Sequence, residues 1–225
     1  MSINKTAYHQ LKAELDNKSV ALVAVSKTKP VEDILELYNL GYRDFGENYV
    51  QEMVAKAAQL PKDIRWHYIG HLQTNKVKLI APFVQLIHAV DSLKLLEEIN
   101  KQGEKQGRVI DCLLQVHIAM EETKFGLNEK ELIELISQFN EIKKNNVRIV
   151  GLMGMASFTE DMDKVKKEFR YLKELFDKHA KPQTLNLKLE TLSMGMSNDY
   201  KIAIEEGSSM VRIGSLIFGE RAKAD

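Results

Sequence analysis

The stretch that decides the fold is Val20-Ala21-Leu22-Val23-Ala24-Val25-Ser26-Lys27-Thr28-Lys29-Pro30. It opens with six apolar residues without polar alternation, which is typical of a strand covered on both faces in the parallel sheet of an α/β protein. The run ends at Lys27. A lysine at the carboxyl end of a buried strand lies at the rim of an apolar cavity, where incomplete solvation favours the neutral, nucleophilic amine that forms Schiff bases.

Lys27 has a second interpretation when this strand is considered alone. It begins an exposed loop, as we expect Lys29 to do, because lysine is mostly a surface residue. The strand by itself favours the exposed loop, and the carboxyl-terminal part of the chain reverses that preference.

Size and composition limit the protein class. The 225 residues suit a single α/β barrel, so we expect one domain over 1–225. Basic and acidic side chains balance at 32 each, so no overall field attracts nucleic acid or an anionic membrane. Cys112 is the only cysteine, which excludes an intramolecular disulfide and fits a reducing compartment. With a polar amino terminus and no membrane-length apolar run, we expect a cytoplasmic protein.

Short apolar runs alternate with amphipathic stretches along the whole chain, which predicts repeated β/α units. An opening helix over 4–16 precedes the first strand. Eight strands are predicted, at 20–25, 42–45, 65–69, 84–88, 111–118, 148–152, 189–192 and 210–213. Helices are predicted between them, including 129–144, 161–179 and 198–206. This pattern favours a closed (β/α)8 TIM-type barrel with an extra amino-terminal helix over an open doubly wound sheet.

In such a barrel, chemistry takes place at the carboxyl ends of the strands. Polar residues collect at those predicted ends: Lys27, Glu47, Asn48, His71, Gln73, His117 and Arg212. We therefore expect the site at this end of the barrel.

Two loops near the carboxyl terminus predict a phosphate site. Ser197 is positioned to cap the short helix over 198–206, and Gly214-Ser215 adds backbone N–H groups after the last strand. Barrels frequently bind phosphate in the loops after strands seven and eight. The alternative is two ordinary capped turns, since such short motifs match often.

Arg212 shares one strand face with Met210 and Gly214, and both faces of a barrel strand are buried. A buried guanidinium needs an acceptor. A bound ligand would supply one, and the alternative is a structural ion pair with a carboxylate such as Glu190, which is the commoner arrangement for a buried arginine.

Five motifs follow one another along the chain: Ala24-Val25-Ser26-Lys27-Thr28-Lys29-Pro30, Phe45-Gly46-Glu47-Asn48-Tyr49-Val50-Gln51-Glu52, Trp66-His67-Tyr68-Ile69-Gly70-His71-Leu72-Gln73-Thr74-Asn75-Lys76, Gly151-Leu152-Met153-Gly154-Met155-Ala156, and the two carboxyl-terminal loops. Together they resemble the pyridoxal-phosphate homeostasis proteins (the YggS/PROSC family), relatives of the barrel domain of fold-type III enzymes such as alanine racemase. The resemblance covers nearly the whole chain.

The resemblance implies a site that binds pyridoxal 5'-phosphate. It assigns Lys27 as the amine of the internal aldimine, Asn48 beside the ring, Ser197, Gly214 and Ser215 on the phosphate, and Arg212 facing the pyridine nitrogen. No metal is implied.

Other candidate residues receive no catalytic role. His117 stands where the family pattern often has an asparagine, in a loop that continues with Glu122, Lys124 and Gly126. We interpret His67 and His71 as strand and cap residues rather than acid–base catalysts, because nothing in the sequence orients their nitrogens. Cys112 is interpreted as an inert core thiol.

Two functions from different classes are compatible with these residues. The first is a protein that holds pyridoxal phosphate and supplies it to other proteins, with apoenzymes as recipients. The second is an amino acid racemase or another fold-type III enzyme. Such racemases add a carboxyl-terminal β domain that supplies a tyrosine base, whereas this chain ends at Asp225, a few residues after the last predicted strand. We therefore expect a carrier that is not an enzyme. Separately, we expect a monomer with no nucleic-acid or membrane partner, and a scaffold without cofactor is a third alternative.

Overall fold

The first strand pairs with the last, which closes the sheet into a barrel: Leu22 is in register with Val211 and Val23 with Arg212. The computed structural model describes residues 3–119, 125–141, 145–180, 184 and 186–220. Its eight parallel strands are neighbours in chain order. They are β1 (Ala21–Val25), β2 (Asp44–Glu47), β3 (Arg65–Tyr68), β4 (Val84–Val90), β5 (Ile110–Val116), β6 (Val147–Gly154), β7 (Leu187–Ser193) and β8 (Met210–Ile213). The predicted (β/α)8 barrel is confirmed.

Helices surround the barrel. They are α1 (Lys5–Asn17), α2 (Val31–Asn39), α3 (Val50–Gln59), α4 (Val77–Ile80), α5 (Leu93–Lys105), α6 (Glu129–Glu141), α7 (Met162–His179), α8 (Tyr200–Glu205) and α9 (Ser215–Phe218). The predicted amino-terminal helix is α1, which Asn4 caps by accepting a hydrogen bond from the Ala7 N–H at 3.0 Å. Within the described ranges, none of the helices has the length and apolar composition required to traverse a bilayer.

Alternate strand residues fill two separate apolar layers. In β5, Cys112 and Leu114 pack into the large shell between strands and helices. Leu113, between them, packs with Leu86 and Met153 in a smaller cluster inside the barrel. Because neighbouring side chains on a strand point to opposite faces, the strands β4, β5, β6 and β8 contribute to both layers. The lumen is therefore a packed interior with polar residues above and below its apolar layer.

Several predicted boundaries differ from the observed ones. The second strand begins at Asp44 rather than Tyr42, because its pairing with β3 starts at Asp44 and Arg65. The helix predicted from Gly70 begins only with a 3-10 turn at Thr74–Lys76 that continues into α4. The four-residue helix α9 was not predicted from the sequence. The last three residues of the helix predicted over 129–144, which are 142–144, lie outside the described residues.

Candidate functional site

One cavity of about 430 Å³ lies at the carboxyl ends of the barrel strands. Its volume falls in the range of roughly 300–1,000 Å³ that is typical of small-molecule sites. Residues from loops far apart in the chain converge on it. All the residues predicted for the cofactor site line this cavity: Lys27, Asn48, Ser197, Arg212, Gly214 and Ser215. Their roles toward a ligand remain predictions at this point.

Lys27 is half-buried at the end of β1 and lines the cavity together with Val25. By the two-residue period of a strand, both side chains continue the same face. Lys27 lies in the turn that follows β1, as the alternative interpretation expected, but it is half-buried rather than exposed. The next residue, Thr28, has φ of 64°, a left-handed conformation that a β-branched residue rarely adopts. Surrounding contacts must therefore hold the turn that follows Lys27.

A buried polar cluster holds that turn from the side of α3. Lys56 Nζ donates hydrogen bonds to Ser26 O at 2.8 Å, to Glu47 Oε1 at 2.8 Å and to Glu52 Oε1 at 2.7 Å. Ser26 Oγ donates to Glu47 Oε1 at 2.6 Å, and the Thr28 N–H donates to Glu52 Oε1 at 2.6 Å. We call Ser26, Glu47, Glu52 and Lys56 the turn cluster. It fixes the backbone on both sides of Lys27.

Glu47 is the most buried charged member of the turn cluster. Its side chain is fully buried, and its second carboxylate oxygen, Oε2, has no hydrogen-bond partner among the described residues. Burial raises the pKa of this carboxyl, and the Lys56 ammonium opposes that rise. Glu47 does not line the cavity. It therefore supports the site from behind.

The Lys29 amine is bound to backbone carbonyls of the protein. Lys29 Nζ donates to three backbone carbonyls at the end of α9, those of Phe218 at 2.8 Å, Gly219 at 3.0 Å and Glu220 at 3.0 Å. Such bonds need the ammonium form and fit the negative end of a helix. Lys29 is half-buried rather than exposed as predicted, and it has a structural explanation.

Asn48 presents a buried acceptor to the cavity. Its backbone carbonyl accepts a hydrogen bond from the Tyr68 hydroxyl at 3.0 Å. Its side-chain Oδ1 is buried and has no partner among the described residues. An unsatisfied buried oxygen is costly, so a ligand that donates a hydrogen bond here would relieve that cost. Burial raises the pKa of the Tyr68 hydroxyl to about 12, which keeps it a donor.

The loop after β7 departs from the prediction. Ser197 does not cap the short helix, because α8 begins at Tyr200 and Asp199 occupies the N-cap position. The Asp199 carboxylate instead accepts from the Met196 N–H at 2.5 Å, which closes the turn over 196–199. Ser197 lies inside this turn, half-buried at the cavity wall. Ser197 lines the cavity as predicted, but the prediction that it caps the short helix is wrong.

The loop after β8 brings a helix start to the cavity. Gly214 is the N-cap residue of α9, which begins at Ser215. A Cβ on Gly214 would lie 2.9 Å from the Val25 carbonyl oxygen, so only glycine permits this approach of β8 to β1. The first N–H groups of a helix have no partner within the helix, and they attract anions. This arrangement fits the predicted phosphate contact.

Arg212 is buried, with 4% of its surface exposed. Its Nη1 donates to Ser193 Oγ at 2.7 Å and its Nη2 to the Gly154 carbonyl at 3.1 Å. The alternative ion pair with Glu190 is wrong, since Glu190 is exposed and pairs with Lys188. Burial lowers the pKa of Arg212 to about 10, which leaves the guanidinium charged at neutral pH.

The sequence did not indicate every residue of the cavity wall, and some of the predicted candidates lie outside the cavity. Met155, Ala156 and Phe158 add an apolar wall to the cavity, and part of this segment was already visible as a motif. His71 lies outside the cavity, with Nδ1 3.5 Å from an Asp91 carboxylate oxygen. Of the remaining predicted candidates, His117 does not line the cavity and Gln73 borders a neighbouring cleft. Cys112 is buried in the shell between strands and helices, and burial raises the pKa of its thiol. Glu122 and Lys124 lie outside the described residues.

Comparison with known proteins gives consistent matches over nearly the whole chain. The family model described as alanine racemase, N-terminal domain, matches residues 5–222. A pyridoxal phosphate homeostasis protein of Aquifex aeolicus is 45% identical over 201 residues, covering 89% of this chain and 86% of that protein. One of Vibrio alginolyticus is 40% identical over 222 residues, covering 95% and 92%. The solved structure of PipY from Synechococcus elongatus with PLP bound has a TM-score of 0.85 at 33% identity, covering 95% of this chain and 99% of that one.

The match extends across the barrel and includes every loop that lines the cavity. It agrees with the motifs that suggested the family from the sequence. This chain therefore belongs to the alanine racemase N-terminal domain family and, within it, to the pyridoxal phosphate homeostasis proteins.

Proposed function

We propose that this protein holds pyridoxal 5'-phosphate on Lys27 and supplies it to other proteins. The observation that carries the proposal is that Lys27, Arg212 and the start of α9 line the same cavity. PipY, a structural relative, has PLP bound, and the sequence relatives are named pyridoxal phosphate homeostasis proteins. When bound, the cofactor supplies an aldehyde that forms a Schiff base with a lysine amine.

Each wall of the cavity offers one part of the recognition. Ser197, Gly214 and Ser215 present hydroxyls and helix-start N–H groups, which suit a phosphate. Asn48 Oδ1 is a buried acceptor without a partner among the residues that the structure describes, which suits a hydroxyl on the ring. These contacts would hold the ring while the turn cluster keeps the Lys27 backbone in place.

Arg212 influences which reactions a bound cofactor could undergo in this site. Its guanidinium carries a permanent charge and donates without accepting. Set against a pyridine nitrogen, that charge disfavours protonation of the ring by like-charge repulsion. An unprotonated ring withdraws electrons weakly, so the site suits storage better than reactions at an amino acid α-carbon.

We also propose that the protein is not a racemase. Racemisation needs two positioned bases, one on each face of the α-carbon. The amines that line the cavity are Lys27 and Lys29, and no tyrosine or histidine lines it within the part of the chain that the structure describes. Lys29 is already engaged by carbonyls of α9.

The single buried thiol fits a reducing compartment, and we place this function in the cytoplasm of the cell, in a monomer.

A transfer assay tests the supply function. Protein loaded with pyridoxal phosphate and desalted is mixed with the cofactor-free form of an aminotransferase, with a phosphatase present to destroy free cofactor. We expect aminotransferase activity to appear despite the phosphatase. Activity that disappears with the phosphatase would show release into solution and contradict direct supply. Lys27→Ala, handled identically, is the control for cofactor carried by other residues.

A racemase assay tests the alternative enzyme function. The loaded protein is incubated with L-alanine or L-serine, and both enantiomers are measured by chiral chromatography. We expect no stereoinversion above that of free cofactor. Turnover at ordinary enzymatic rates, on the order of 1–10³ per second, would replace the carrier by a racemase.

A further inference from the structure

A chain of hydrogen-bonded polar side chains crosses the lumen below the cavity. From Arg212 Nη1 it runs 2.7 Å to Ser193 Oγ, then 3.2 Å to His88 Nδ1. From His88 Nε2 it continues 3.0 Å to His67 Nδ1, and from His67 Nε2 3.1 Å to Asp44 Oδ1. We call these five residues the lumen chain. Four of them are buried side chains, and Asp44 opens to a second cavity near the amino ends of the strands.

The two ends of the lumen chain decide the direction of every hydrogen bond within it. Arg212 can only donate, and the Asp44 carboxylate can only accept. Ser193 Oγ therefore accepts from Arg212, which leaves the Ser193 hydroxyl hydrogen to donate to His88 Nδ1. His88 then donates through Nε2–H to His67, which donates through Nε2–H to Asp44. In this arrangement each ring donates through its Nε2–H and accepts at Nδ1, and each contact has one donor and one acceptor.

The opposite direction is unfavourable. With its proton on Nδ1, His88 would donate to Ser193 Oγ, which already accepts from Arg212, so the Ser193 hydrogen would lose its acceptor. His67 would then have to donate through both nitrogens and carry a positive charge. Burial lowers the pKa of His88 well below its ordinary value, which agrees with a neutral ring.

We propose that Ser193, His88 and His67 are positioning residues for Arg212. This inference rests on the proposed function for its consequence at the cofactor, while the geometry belongs to the protein alone. Ser193 and the Gly154 carbonyl take two guanidinium donors and fix the plane of the group. The histidines fix the Ser193 hydroxyl, so that its lone pair is always directed at Arg212. The remaining donors of Arg212 are then directed by the fold rather than by the ligand.

Nuclear magnetic resonance on cofactor-free protein tests the direction of the lumen chain. In ¹⁵N spectra of the histidine rings, we expect His88 and His67 to carry protons on Nε2 and to have unprotonated Nδ1 nitrogens. We also expect separate Nη signals from Arg212, because two bonded donors hinder rotation of the guanidinium. A proton on His88 Nδ1, or rotationally averaged Arg212 signals, would overturn the proposal.

A matched pair of serine variants tests the positioning role. Ser193→Ala removes the link to Arg212. Ser208→Ala removes another buried hydroxyl beside the same strands, bonded to Leu192, Met194 and Met210 carbonyls. In Ser193→Ala we expect averaged Arg212 signals and pyridoxal phosphate affinity reduced about tenfold, the size associated with a hydrogen bond to a charged group. In Ser208→Ala we expect separate Arg212 signals and affinity within about threefold of wild type.

A more distant variant separates positioning from simple contact. His88→Leu does not touch Arg212 but removes the acceptor of the Ser193 hydroxyl, so we expect an intermediate loss of affinity and altered Arg212 signals. His88→Asn, which keeps an acceptor near Ser193, should recover part of both. Unchanged Arg212 signals in Ser193→Ala and His88→Leu would refute the positioning role. If the wild type bound no pyridoxal phosphate, the proposed function would fail, and the cofactor-free Arg212 signals alone would decide the positioning role.

Discussion

Replacing Lys56 by methionine tests whether the turn cluster holds the site. Lys56 has 6% of its side chain exposed and forms hydrogen bonds to Ser26, Glu47 and Glu52. Methionine matches the apolar stem and removes only the charge and the donors. The fully buried Glu47 carboxylate then loses its cation while keeping an Oε2 that has no partner among the described residues.

The expected cost follows from that unpaired charge. Removing one partner of a buried ion pair costs about 3–5 kcal/mol in the free energy of unfolding, because the remaining charge stays desolvated. For a chain of 225 residues, this lowers the midpoint of thermal unfolding by roughly 6–20 °C. The loss also releases the Thr28 turn, so pyridoxal phosphate binding should weaken beyond what stability alone explains.

The assay is urea unfolding at neutral pH, followed by circular dichroism. Lys173→Met is the control, since Lys173 pairs with Asp177 in an exposed, one-turn arrangement. We expect that control to lose less than about 0.5 kcal/mol. The double variant Lys56→Met with Glu47→Gln should recover part of the loss, because no buried charge remains. A Lys56→Met protein within about 1 kcal/mol of wild type would refute the reasoning for buried pairs.

Three further predictions concern the lumen and the cavity. Burial raises the Asp44 pKa, but hydrogen bonds from His67 and Arg65 outweigh it and lower the pKa to about 2 from 3.8. The stabilisation that comes from this lowered pKa is fully present above about pH 4–5 and is lost as the pH falls toward 2. In urea titrations, the free energy of unfolding of the wild type should therefore fall by about 1 kcal/mol more than that of Asp44→Asn between pH 6 and pH 3. Gly214→Ala places a Cβ 2.9 Å from the Val25 carbonyl and should cost about 1–3 kcal/mol and weaken pyridoxal phosphate binding; unchanged affinity in an absorbance titration would contradict the close approach. Arg212→Glu loaded with cofactor should gain deuterium at the α-carbon of added amino acids in heavy water, and exchange equal to wild type at equal occupancy would show that Arg212 does not control the ring nitrogen.

The barrel and the location of the site could be predicted from the sequence. Apolar runs such as 20–25 encode a strand buried on both faces, and polar residues concentrate where those runs end. Parallel strands bring all their carboxyl ends to one edge, so Lys27 and Ser215 could be placed in one site without knowledge of distances. The family motifs added the cofactor to that expectation.

Contacts across the barrel could not be predicted in the same way. The partner of Arg212 is Ser193 rather than Glu190, and that choice depends on the register of β7 with β8, which no local pattern encodes. Lys56 lies in the last turn of α3, and its amine reaches the end of β1, a contact that no local pattern in the sequence indicates. The lumen chain links residues from five different strands. Each such pairing is a property of the closed sheet as a whole.

The central claim is that the Lys27 amine holds the cofactor, and borohydride fixation measures it most directly. Protein loaded with pyridoxal phosphate should show a visible absorption band that borohydride abolishes. Peptide mass mapping should then find the reduced cofactor on the peptide containing Lys27, and Lys27→Ala should lose the visible band. Cofactor recovered on Lys29 or Lys76 instead, or an unchanged band in Lys27→Ala, would contradict the account.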